Sequence, residues 1–93
     1  MPNVELKTGE YTIKARKTES FTFWWGSNSE PTEYFNVSIE PNPKFPNITP
    51  LIEERREVTL FNGAPRQPML ILTLRNNNDF DVDFFANHIR IYI

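Results

Sequence analysis

The chain has no cysteine, three glycines, three alanines and a single histidine. Without cysteine there is no disulfide, no thiolate metal site and no cysteine nucleophile. Few alanines and only six leucines exclude a helical bundle, which is built from strong helix formers. No stretch of about 18 apolar residues occurs, so no membrane span is expected. There is no basic excess either. Ten Lys and Arg against twelve Asp and Glu leave a net charge of −2, which gives no general pull toward nucleic acid. Met1 to Lys7 lack the apolar core of a signal peptide, and the default expectation is a cytoplasmic protein.

What the 93 residues do hold is ten asparagines, eight threonines, eight phenylalanines and eight prolines. The length suits one domain spanning 1–93, and the prolines divide it into segments too short for long helices. Within those segments apolar residues alternate with polar ones, the period of a half-buried strand. Val4 and Leu6 begin a short strand, and Thr8-Gly9-Glu10 is expected to turn the chain. Tyr11, Ile13 and Ala15 form the next apolar row, then Phe21, Phe23 and Trp25, then Phe35, Val37 and Ile39. The segment 41–50 carries four prolines and reads as an extended crossing over one end of the fold. Leu51 to Glu57 has helix formers enough for one helical turn, with a strand start as the competing reading. Asn62-Gly63, followed by Pro65 and Pro68, marks a loop.

Met69 to Leu74 is apolar on both faces, as a central strand covered on both sides would be. Leu70, Leu72 and Leu74 share one face; Phe80, Val82 and Phe84 share one face of the next strand. A hairpin through Asn76-Asn77-Asn78 would set Leu74 against Phe80 and Leu72 against Val82, with an asparagine in the left-handed region. Beyond it the apolar parity changes from Phe84 to Ile89, Ile91 and Ile93, which predicts a bulge near Phe85-Ala86-Asn87. The fold expected is an all-β antiparallel sandwich of about seven or eight short strands, of jelly-roll or immunoglobulin-like type.

Motifs for chemistry are sparse. Asp79, Asp81 and Asp83 resemble the start of a calcium loop, but an EF-hand needs glycine at its sixth position and glutamate at its twelfth. Phe84 and Arg90 stand there, so the aspartates read as a solvated outer face. His88, placed by parity on the outward face beside Arg90 and Tyr92, has no cysteine and no recognisable nucleophile to work with. Glu53-Glu54 would need an acid across a cleft to hydrolyse a glycoside. Lys14, Arg16, Lys17, Arg55 and Arg56 are diluted by neighbouring glutamates. No catalytic, cofactor or metal residue is assigned, and no enzyme activity is expected.

The outward residues carry more. Trp24, Tyr34, Phe61 and Tyr92 leave the core by parity, and Met69 and Ile71 lie opposite the leucine row. Exposed Trp and Tyr anchor protein interfaces or stack on sugars, and a bare apolar sheet face invites a partner. The expectation is therefore a non-catalytic binding or structural module. It would form a homo-oligomer, or dock on a larger assembly, through Trp24, Tyr34, Met69, Ile71 and Tyr92. The alternative is a carbohydrate-binding, lectin-like module using Trp24, Tyr34, Asn28, Asn77 and Asp79, and a weaker one is a metal-dependent or hydrolytic module.

Overall fold

The computed structural model describes residues 3–24, 32–45, 47–61 and 67–92. They form six strands: β1 (Asn3–Ile13), β2 (Thr18–Trp24), β3 (Thr32–Pro41), β4 (Ile52–Phe61), β5 (Gln67–Arg75) and β6 (Val82–Tyr92). Two three-stranded antiparallel sheets result, ordered β1-β6-β3 and β2-β5-β4. Only β4 and β5 are consecutive strands in one sheet; every other connection changes sheet. Their facing sides bury Ile13, Phe23, Phe35, Val37, Leu70, Leu72, Leu74, Val82, Phe84 and Ala86. The leucine row of β5, with Ile13, Phe23, Phe35, Val37, Val82 and Phe84 from the other expected rows, thus forms the core, because period-two patterning puts such residues on one face of each strand. Aromatic rings bind the layers at one side: Tyr11 meets Phe23 edge-on at 5.3 Å, and Phe21 meets Phe84 at 5.2 Å.

Several expectations fail. Six strands, not seven or eight, are present among the described residues. Thr8-Gly9-Glu10 does not turn: β1 pairs with β6 without a break from Asn3↔Tyr92 to Ile13↔Val82. Gly9 instead makes room for a side chain, since a Cβ there would stand 3.0 Å from Tyr11 Cε2. Leu51 to Glu57 forms no helical turn; the competing strand reading is what occurs, since β4 begins at Ile52. The hairpin through the asparagines is absent, because β5 and β6 belong to different sheets. Phe80 consequently leaves the core row, lies exposed and stacks on Phe45 at 6.1 Å.

The asparagines have another task. Asn76, fully buried, directs its amide nitrogen to the carbonyls of Ile13, Lys14 and Phe80 at 3.0–3.2 Å. Its Oδ1 accepts from the Asn78 backbone and side chain. Asn78 in turn bonds the Thr49 N–H and carbonyl, both at 2.8 Å. Three connections at one end of the molecule (14–17, 42–51 and 76–81) are thereby tied together, satisfying backbone groups that have no ladder partner. Among the described non-glycine residues the left-handed one is Arg16, with φ 59°, not an asparagine of 76–78. Its N–H bonds the Asn78 carbonyl at 3.1 Å.

No bulge interrupts β1–β6 pairing near Phe85-Ala86-Asn87. Val82, Phe84, Ala86, His88 and Arg90 all remain buried on one face. The inner face becomes polar while Ile89 and Ile91 stand on the outer one. That exchange produces the apparent parity change.

Candidate functional site

At the inner end of β6, His88 is 4% exposed and Arg90 is fully buried. His88 Nδ1 lies 3.0 Å from the Ala86 carbonyl and 3.3 Å from that of Lys7. Carbonyls only accept, so Nδ1 carries the proton. Burial pushes the His88 pKa below its ordinary value and the Lys7 charge adds to this, while the backbone bonds oppose it. Its ring packs edge-on against Phe23 at 5.3 Å. Arg90 donates to Glu5 Oε1 at 3.2 Å, and its Cζ lies 4.2 Å from the Tyr92 ring centroid. A buried guanidinium is tolerable when paired in this way. Both residues were expected to face outward; neither does.

The opposite, outer face of the same sheet is apolar toward that end. Cross-strand register sets Val4 against Ile91 and Ile91 against Tyr34, and Leu6 against Ile89. Leu6 is 76% exposed, Val4 59% and Tyr34 48%. Ile89 and Ile91 are half-buried between the two outer strands. Further along, Thr8 bonds Asn87 and Thr12 bonds Asp83, so the face turns polar.

The outer face of the β2-β5-β4 sheet holds a smaller set. Trp24 is exposed and sits opposite Met69, with Ile71 next along β5; both β5 residues are half-buried. The residues expected to form one interface are therefore divided. Trp24, Met69 and Ile71 share one outer face, Tyr34 lies on the other, and Tyr92 follows the inner parity beside Arg90. The expected sugar-binding set is likewise dispersed, since Asn77 and Asp79 belong to the tied end while Trp24 lies at the opposite end of β2. Asn28 lies outside the described residues, as does Trp25. Val4, Leu6, Ile89 and Ile91 were not anticipated as surface residues. The legible signal was Val4 and Leu6 at even positions, opposite in parity to Tyr11 and Ile13 once β1 is one strand.

Among the described residues, recesses open at the sides of the two layers. One, of about 350 Å³, lies between β3 and β4 over Leu74, with Ile39, Leu51, Glu53 and Arg56 around it. Another, of about 220 Å³, lies between β1 and β2, lined by Lys7, Tyr11, Phe23 and His88 among others. The three aspartates do not converge: Asp79 pairs with Arg16, Asp81 accepts from the Ala15 N–H, and Asp83 pairs with Lys44. The hydrogen bond from Lys44, then that from Thr12, holds Asp83 below the ordinary carboxylate range. Among the described residues no three His, Cys, Asp or Glu cluster as a metal site would require. No described helix is long and apolar enough to cross a membrane.

No protein-family model matches the chain, and no curated protein or solved structure is detectably similar to it.

Proposed function

We propose that this protein is a non-catalytic β-sheet module that works by protein–protein contact and self-associates through the outer face of the β1-β6-β3 sheet. The observation that carries this reading is the cross-strand apolar row Val4–Ile91–Tyr34 beside Leu6–Ile89, three of whose members are about half exposed or more. Contiguous apolar surface of this kind on a small sheet is stabilised by a covering partner. The wrap is jelly-roll in character. Consecutive strands alternate between sheets except β4 and β5, whereas the immunoglobulin arrangement keeps its first two strands together.

Sedimentation velocity over a hundredfold concentration range tests the reading. A species heavier than the 11.0 kDa chain is expected to form as concentration rises. Leu6→Thr with Tyr34→Thr is expected to abolish it while leaving the circular dichroism spectrum unchanged. A protein that stays monomeric throughout would refute self-association, and a dimer indifferent to both substitutions would refute this face as its interface.

A further inference from the structure

Sheet edges need protection from unwanted strand pairing, and the four edge strands here differ in how they obtain it. On β3, Arg56 reaches across from β4 and occupies the Val37 carbonyl. β4 carries a register shift between Glu53 and Arg55 within five consecutive charged residues, 53–57. β2 has only seven residues. β1 has eleven, paired on one side with β6 without irregularity, and no strand pairs with its other side among the described residues. The two most exposed apolar residues of the outer face, Leu6 and Val4, are also on this edge.

Accepting the self-association reading, we propose that two copies join by antiparallel pairing of β1 with β1 about a two-fold axis at Leu6. The axis stands perpendicular to the sheet and makes one six-stranded sheet from two three-stranded ones. Such pairing sets residues of equal parity opposite each other, so the axis passes through a residue. Charge selects which. An axis at Glu5, Lys7 or Glu10 sets a charged residue against its own copy, which is repulsive. Axes at Val4, Thr8 or Gly9 set no charged residues of the strand against one another. An axis at Leu6 sets Glu5 of each copy opposite Lys7 of the other, twice over, and Leu6 against Leu6, with Val4 against Thr8. The charges that would otherwise guard this edge become its complementarity, and the apolar faces of both copies become continuous.

The absence of cysteine makes the register directly testable. Opposed Cα atoms in an antiparallel pair lie about 4.5–5.5 Å apart, within the span of a disulfide. Under mild oxidation Leu6→Cys is expected to give a covalent dimer nearly quantitatively. Val4→Cys and Thr8→Cys are each expected to remain monomeric on denaturing gels, and an equimolar mixture of the two to cross-link. Lys7→Glu is expected to weaken the dimer about tenfold at low salt, with the difference shrinking in high salt. A dimer by sedimentation in which Leu6→Cys does not cross-link overturns this register and leaves the self-association reading standing. Cross-linking by Val4→Cys alone, or no effect of Lys7→Glu, overturns it as well. A monomer by sedimentation overturns both.

Discussion

Arg56 and Val37 belong to different sheets, and Arg56 Nη2 donates to the Val37 carbonyl at 3.0 Å. The same guanidinium reaches Asn36 Oδ1 and both carboxylate oxygens of Glu53. The β4 residues at 52–58 are exposed. The bridge holds this edge strand to the facing layer and occupies an edge carbonyl.

Arg56→Lys is expected to lower stability by about 1–2 kcal/mol. Lysine keeps the charge but cannot present a planar fork to three partners. Urea unfolding monitored by tryptophan fluorescence gives the value. An unchanged midpoint would mean that the bridge contributes nothing beyond charge.

Asn76 is expected to be the most sensitive polar position. Replacing it by alanine removes the donor to three carbonyls, those of Ile13, Lys14 and Phe80, at a cost of about 2–3 kcal/mol. Asn76→Asp keeps the shape but aims a carboxylate at those carbonyls, so it should destabilise more at pH 7 than at pH 4, where protonation relieves the repulsion. Thermal unfolding at the two pH values separates the variants, and equal melting temperatures for wild type and Asn76→Ala would contradict this account.

His88 is expected to set the pH dependence of stability in mildly acidic solution. Its folded pKa is depressed, so as pH falls below about 6.5 the unfolded chain binds a proton that the folded chain refuses. Stability is therefore complete above that pH and declines as pH drops toward the folded pKa. His88 is the single histidine of the chain, the side-chain type whose charge changes between pH 7 and 5. His88→Gln, which can still donate to the Ala86 carbonyl, is expected to remove the slope of unfolding free energy across that interval. A slope that persists in the variant would assign it to another group.

Much of the layer structure was legible in the chain. Leu70, Leu72 and Leu74, and likewise Phe35 and Val37, alternate as buried rows because a strand exposes its two faces in turn. The four prolines of 41–50 mark the crossing from β3 to β4. The candidate site was less legible. Tyr34 was identified as outward, but Val4, Leu6, Ile89 and Ile91 were not, because apolar residues on both faces of β6 make inward and outward rows indistinguishable by hydropathy. Met69 and Ile71 raised the same ambiguity on β5.

Local patterning determined that the protein is all-β, which residues of each strand share a face, and where the chain must break. It did not determine which strands become neighbours, since alternation is read within a few residues while pairing joins segments far apart. Only the tertiary structure placed β5 and β6 in different sheets and turned the asparagines into ties between connections. Arg90 shows the reason most plainly. A fully buried arginine is excluded by local rules, and here it is stabilised by Glu5, 85 positions away.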